Sequence, residues 1–226
     1  MLSRQAAVLS PAELAHCRAV LGAASWIDGK ATAGPQSARA KHNVQLPESS
    51  PEATELGDLV LDALRRHPGF IAAALPLRVF PPLFNRYEAG MGFGPHVDNA
   101  IRFAPGGARY RTDVACTLFL SDPADYDGGE LVIEGSFGEQ SVKLAAGDMV
   151  VYPASSVHRV EPVARGVRLA AFFWVQSMVQ GDDRRALLAS LDGSIAETRA
   201  ALGDDHRAVV ELTGTYHNLL RMWAQA

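Results

Sequence analysis

Residues 146–176, AGDMVVYPASSVHRVEPVARGVRLAAFFWVQ, decide how this chain is built. Runs of β-branched and aromatic residues alternate here with Gly, Pro and Asp, as short strands alternate with turns. Ala146-Gly147-Asp148 is a turn signal, and Ala164-Arg165-Gly166 reads as the tip of a hairpin because extended residues lie on both sides. The same texture begins at Leu77 and continues through RVFPPLFNRYEAG, DVACTLFLSD and GGELVIEG, with Asp127-Gly128-Gly129 as another turn. Several short strands at close intervals indicate an all-β sandwich or barrel rather than βαβ units.

Helices flank this region. Ser10-Pro11-Ala12-Glu13 combines an N-cap, a proline at the first helical position and a capping-box glutamate, predicting a helix over about 11–21. Residues 52–74 carry apolar positions Leu56, Leu59, Val60 and Leu64 at helical spacing, with a break at Pro68-Gly69. Beyond Val175, DDRRALLASLDGSIAETRAAL and DDHRAVVELTGTYHNLLRMW read as two amphipathic helices. In the second, Val209, Leu212, Tyr216, Leu219, Leu220 and Trp223 share a face, which is expected to fold back on the β region or to pair two copies of the chain.

With 226 residues, about half hydrophobic and one-fifth charged, the chain is long enough to bury a core as one sizeable domain with a small appendage. The net charge of −4 comes from acids and bases mixed along the chain, without the basic stripe that a phosphate backbone requires. Nucleic acid is not an expected partner. The first residues, MLSRQAAVLSPAEL, lack an apolar signal core, and no run reaches the length of a membrane span, which favours the cytoplasm. Cys17 and Cys116 are far apart with no CxxC spacing and are expected to be reduced and packed.

The chemistry begins at GFGPHVDNA, residues 92–100. An HxD triplet alone is a weak signal. On a strand, however, residues two apart face the same way, so His96 and Asp98 can present an imidazole and a carboxylate together. His158, immediately after the strand GDMVVYP, supplies a third ligand of the right type from another strand. Two imidazoles and one carboxylate leave coordination positions open, the arrangement of the facial triad of non-haem Fe(II) oxygenases. Arg168 lies ten positions later at the start of RLAAFFWV, with Ala170, Phe172 and Trp174 on its face of the strand. An arginine fork suits a carboxylate better than a lysine does, and it is costly among apolar side chains unless an anion meets it.

The run NRYEAGMGFGPHVDNA, the strand RTDVACTLFLSD, the turn and strand DGGELVI, and AGDMVVYPASSVHRVEPVARGVRLAAFFWVQS resemble the prolyl/lysyl-hydroxylase-type (PKHD-type) Fe(II)/2-oxoglutarate dioxygenases of bacteria, associated with iron uptake. The resemblance covers the β region and extends to the C-terminal helices. It implies a mainly β fold, a cupin-like double-stranded β-helix or jelly roll, with N-terminal helices and a C-terminal helical pair. On this reading residues 1–177 form the dioxygenase domain, with the jelly-roll core over about 78–177, and 178–226 a helical extension. By resemblance, His96, Asp98 and His158 are iron ligands and Arg168 binds the C5 carboxylate of 2-oxoglutarate, while Tyr87 is a candidate to donate its hydroxyl to the same group. Fe(II), 2-oxoglutarate and O2 are implied, and L-ascorbate as a reductant on the same ground alone.

The expected reaction is hydroxylation of an unactivated C–H bond, coupled to conversion of 2-oxoglutarate to succinate and CO2. The substrate is expected to be a prolyl or lysyl side chain or a small iron-related metabolite. The alternative is a non-catalytic sensor of iron or 2-oxoglutarate in iron homeostasis. Asn99–Tyr110 reads either as a lid or as a solvated loop. Arg78, Arg102, Arg109 and Arg111 are candidates for an anionic substrate or, as the better reading of each, for surface ion pairs; Asn85 and Lys41–Gln45 are candidates for the mouth of the site or, as the better reading, for structural hydrogen bonding. His16, His42, His67, His206 and His217 have no ligand partner at useful spacing.

Overall fold

The computed structural model describes residues 1–32, 39–104, 106–136 and 138–225. Ser10 caps the first helix, α1 (Pro11–Ala23), through the expected capping box: its hydroxyl accepts from Glu13 N, and the Glu13 carboxylate accepts from Ser10 N. The 52–74 segment divides into α2 (Pro51–Arg65) and α3 (Pro68–Ala74). Pro68 opens the second helix as well as ending the first, because His67 caps it by accepting from Phe70 N on Nδ1.

Among the described residues, an eight-stranded antiparallel sheet takes the order β1 (Ser3–Gln5), β14 (Met149–Pro153), β10 (Val114–Phe119), β17 (Arg168–Ser177), β6 (Leu83–Tyr87), β4 (Val44–Gln45), β2 (Ile27–Asp28), with β5 (Pro76–Val79) also on β17. The facing sheet runs β13 (Gly138–Val142), β12 (Leu131–Gly135), β15 (His158–Val160), β7 (Gly92–His96), β3 (Lys41–His42). Alternation along the strands of the larger sheet separates two cores. Cys116, Leu118, Met149, Val151, Ala171 and Phe173 pack with Leu56, Val60 and Leu64 of α2, while Ala115, Phe119, Tyr152 and Trp174 meet Leu131, Ile133 and Val160 of the smaller sheet. Each fully buried Leu or Val contributes about 1.5–3 kcal/mol, so helices and small sheet hold the larger sheet from both faces. This is the expected jelly roll with flanking helices.

The expected hairpin tip at Ala164–Gly166 is not one. These residues lie in β16 (Val163–Gly166), which pairs with β11 (Tyr126–Gly128), while β17 pairs with β10, β6 and β5. Gly166, at φ 79°, redirects the chain between two strands that do not pair with each other, and a Cβ there would lie 2.0 Å from the Asp125 carbonyl oxygen.

The C-terminal pair is α4 (Asp182–Leu202) and α5 (Arg207–Trp223). Tyr216, Leu219, Leu220 and Trp223 of α5 pack against Leu75, Val179 and Leu188, so most of the expected apolar face turns inward. Buried Arg185 donates to the carbonyls of Val179 and Gln180 and anchors the start of α4. Among the described residues no helix is long and apolar enough to cross a membrane.

Candidate metal and cosubstrate site

The space between the sheets is lined by His96, Asp98, His158, Arg168, Tyr87 and Trp174, among others. β7 and β15 are antiparallel neighbours with His96 opposite His158, which sets the two imidazoles 4.2 Å apart between centroids. Asp98 lies two residues beyond the end of β7, so the strand rule that put it on the face of His96 ends before reaching it. Its carboxylate still converges: one Oδ is 3.9 Å from His158 Nε2, and one ligand atom from each of the three residues lies within 4.8 Å of the others.

Both rings are aimed by their backbones. His96 Nδ1 lies 2.9 Å from Gly94 O and His158 Nδ1 3.0 Å from Ser156 O, each a carbonyl two residues earlier. A carbonyl can only accept, so each Nδ1 carries the proton and each Nε2 presents a lone pair to the cavity. The Phe93 ring stacks on His96 at 3.6 Å and Tyr152 meets His158 edge-on at 5.2 Å, fixing both ring planes. Burial lowers the His96 pKa to about 4, with neighbouring His158 adding to the effect, so its imidazole is neutral at pH 7 and ready to ligate. Burial raises the Asp98 carboxyl, while His158 and the Trp174 indole N–H act against that rise. A divalent cation placed among these atoms would hold Asp98 ionised, so the donor set fits iron.

The His96 shift has a consequence for stability. Between its unfolded pKa of 6.5 and the folded value of about 4, the unfolded chain takes up a proton that the folded chain does not. His96 therefore lowers the stability of the metal-free protein as pH falls through that window. Denaturant unfolding of metal-free wild type and His96→Ala at several pH values should show the wild type losing stability relative to the variant from pH 6.5 to 4. Parallel pH profiles would contradict the assignment.

Arg168 is 1 % exposed, and its Nε, Nη1 and Nη2 all lack a hydrogen-bond partner among the described residues. Its guanidinium lies against the rings of Tyr87 (5.2 Å) and Phe119 (5.3 Å), and Tyr87 is its register partner on β6. A buried cation with unused donors calls for an anion with two acceptor oxygens, which a carboxylate supplies. The Tyr126 hydroxyl is likewise buried without a well-formed hydrogen bond among the described residues, yet it lies close enough to Arg168 for the guanidinium's charge and N–H groups to offset part of the rise that burial imposes on the phenol. Asn85 Nδ2 lies 3.4 Å from the Tyr87 hydroxyl, and Asn85 Oδ1 has no partner among the described residues. These orphaned polar atoms fit the carboxylate end of 2-oxoglutarate.

Gly129 keeps this end open. It has φ 67°, and a Cβ there would lie 3.0 Å from the Tyr126 ring and 3.1 Å from Arg168 Cδ. Gly129→Ala should cost about 1–2 kcal/mol through the left-handed backbone and crowd Arg168. Thermal unfolding together with 2-oxoglutarate affinity checks it: both should fall, and an unchanged affinity would place Arg168 elsewhere.

Residues 82–176 match the model of the 2OG-Fe(II) oxygenase superfamily, and 182–225 that of the PKHD-type hydroxylase C-terminal domain. A PKHD-type hydroxylase of Methylobacterium nodulans is 64 % identical over 219 residues, 96 % of each chain. The chain belongs to the PKHD-type hydroxylase family. It is thus an Fe(II)- and 2-oxoglutarate-dependent dioxygenase, an enzyme rather than a non-catalytic sensor. Among solved structures, the viral collagen prolyl hydroxylase of Paramecium Bursaria Chlorella virus-1 in its 2OG complex matches 78 % of this chain and 96 % of its own at TM-score 0.53 and 17 % identity. The non-heme α-ketoglutarate-dependent carbocyclase SnoK of nogalamycin biosynthesis matches 79 % and 80 % at TM-score 0.56 and 18 % identity. A hydroxylase and a carbocyclase share this fold, so the fold alone does not set the reaction.

In this PKHD-type hydroxylase the remaining candidates divide. Of the four arginines considered for substrate, Arg102 alone lines the cavity. Arg111 is paired with Asp113 at 2.7 Å, Arg109 lies over exposed Phe103, and Arg78 stands on edge strand β5. Lys41 and Asn85 line it and are also hydrogen-bonded within the protein, Lys41 Nζ donating to Gln45 Oε1 at 2.8 Å and Asn85 Nδ2 to the Tyr87 hydroxyl at 3.4 Å. The 99–110 segment forms a hairpin, β8 (Ile101–Phe103) with β9 (Arg109–Arg111), tied down where the Thr112 hydroxyl donates to Asn99 O; Pro105 is outside the described residues. Both cysteines are free and buried, and burial pushes both thiols up, Cys17 to about 11, which makes them poor nucleophiles. His16 meets Glu55, while His67 and His206 cap helices. Tyr126 escaped the sequence reading of the site, and Trp174 was placed on the face of Arg168 without a role, since an aromatic in a strand looks the same whether its polar tip meets a ligand or not.

Proposed function

We propose that this enzyme hydroxylates an unactivated C–H bond, with His96, Asp98 and His158 holding Fe(II) and Arg168 and Tyr87 holding the distal carboxylate of 2-oxoglutarate. The observation that carries the reading is Arg168: a fully buried guanidinium with no carboxylate partner and no well-formed hydrogen bond on its three nitrogens among the described residues, in the same cavity as the three converging ligands. Bound Fe(II) with 2-oxoglutarate supplies O2 activation, coupling formation of succinate and CO2 to oxygen insertion. The chain's own work is positional. The Gly94 and Ser156 carbonyls hold both imidazoles in the ligating tautomer, and the Trp174 N–H orients the Asp98 carboxylate. Arg168 would anchor the distal carboxylate of the cosubstrate and so orient the molecule toward the three ligand residues. Leu131, Val160 and Phe172 exclude water from the walls.

Ascorbate as reductant and a place in iron homeostasis belong to the same reading and rest on family resemblance. The test is anaerobic loading with Fe(II) and 2-oxoglutarate, then addition of O2 and quantification of succinate. Slow succinate release without substrate is expected, dependent on both metal and cosubstrate. No succinate from a protein that binds both would overturn it.

A further inference from the structure

Arg102 differs from the other partly buried arginines. Arg18, Arg111, Arg159 and Arg185 direct their donors at carboxylate, carbonyl or amide oxygens at 2.7–3.3 Å, for instance Arg18 Nε on Leu120 O at 2.7 Å and Arg159 Nε on Glu161 at 2.7 Å. Arg102 makes no hydrogen bond among the described residues. It forms a loose ion pair with Glu48 at 3.8 Å, beyond hydrogen-bond reach, and also feels the Asp98 carboxylate, while its side chain is only 15 % exposed. It is held by stacking instead, its guanidinium carbon 4.3 Å from the Trp174 ring centre and 5.2 Å from that of Phe80. A stacked guanidinium keeps its in-plane N–H groups free for a planar oxyanion.

Its location gives those donors a purpose. The hairpin β8–β9 carries Arg102 into the cavity that the triad lines, and Tyr110, its register partner, braces Phe80 edge-on at 5.4 Å. Trp174, on which Arg102 lies, also reaches Asp98. Lys41, 5 % exposed, brings a second cation to the cavity, above the rings of Phe93 (5.5 Å) and Phe172 (5.7 Å). Arg168 lies at the cosubstrate end, so the cation stacked on Trp174 is left for another molecule.

We propose that Arg102, supported by Lys41, is the substrate-recognition residue, and that the substrate carries a carboxylate that docks on the Trp174-stacked guanidinium beside the metal. This rests on the oxygenase reading above for the identity of the pocket. The carboxylate belongs either to a free small molecule or to a peptide side chain or C-terminus, and the recognition chemistry is the same for both.

The test uses full-length protein loaded with Zn(II) and 2-oxoglutarate, which cannot turn over. Ligand-observed NMR follows a panel of small mono-carboxylates, acetylated amino acids and short acidic peptides, each beside its primary amide. The expected result is that acids bind about tenfold or more tighter than their amides, as two charge-assisted hydrogen bonds require. That preference should vanish in Arg102→Ala and Arg102→Gln and survive in part in Arg102→Lys. Free acids and acidic peptides separate the two sources. Acids that bind no better than amides in the wild type, or a preference unchanged in Arg102→Ala, would overturn the proposal. Binding of 2-oxoglutarate to each variant reports an intact iron and cosubstrate site. A wild type that fails to bind 2-oxoglutarate refutes the oxygenase site itself, whereas lost acid preference with that binding intact concerns Arg102.

Discussion

Arg168→Met is expected to weaken 2-oxoglutarate binding severely while leaving the ligand-free protein at least as stable as the wild type. The two effects have opposite signs because Arg168 has no counter-ion among the described residues: its three nitrogens are buried without a hydrogen bond of good geometry there, beside the faces of Tyr87 and Phe119 and the Tyr126 phenol. Removing one member of a desolvated, hydrogen-bonded charge pair costs about 2–5 kcal/mol, or roughly 30- to 5000-fold in affinity. Methionine fills a similar volume without charge, and replacing buried charge by apolar groups is often neutral or stabilising by about 1–4 kcal/mol. Anaerobic titration calorimetry gives the first quantity and denaturant midpoints in anion-poor buffer the second. A ligand-free Arg168→Met protein clearly less stable than wild type would make Arg168 a structural residue. Arg168→Lys should fall between, since it keeps the charge and loses the fork.

His96→Ala is expected to abolish metal-dependent succinate formation and to weaken Fe(II) binding by at least about 100-fold, because even partners behind a metal ligand are worth 10–100-fold. Folding should be little affected. His96 is partly exposed at the end of β7, and among the described residues its one hydrogen bond is to the Gly94 carbonyl two residues earlier while its ring meets Phe93 and His158. A stability change within about 1 kcal/mol at pH 7 is expected on that ground. Metal content of the purified variant and its thermal unfolding check both halves. Retained turnover would remove His96 from the triad, and an unfolded variant would assign it a structural role.

The sequence made the local features legible, and the structure shows where local reasoning ends. Capping at Ser10 and Glu13 is written in adjacent residues, so α1 starts where expected. The face of α5 is legible from its spacing, since Tyr216, Leu219, Leu220 and Trp223 do pack inward. The hairpin at Ala164–Gly166 failed because β16 pairs with β11, from a segment almost 40 residues earlier, and no local pattern records that choice. The same limit explains Asp98, which converges on His158 through the path of the chain after β7 rather than through strand alternation. Arg102 could not be told from Arg78, Arg109 and Arg111 in sequence. What separates it is the indole beneath it, contributed by a strand some 70 residues later.

The central claim is that the triad and Arg168 form one site for a metal and a dicarboxylate. Anaerobic titration of 2-oxoglutarate into the protein with and without Fe(II) tests it most directly. One equivalent should bind, much more tightly with metal than without, and Arg168→Met and His96→Ala should each remove that metal-dependent binding. Binding of equal strength with and without Fe(II), or undiminished in Arg168→Met, would contradict the account.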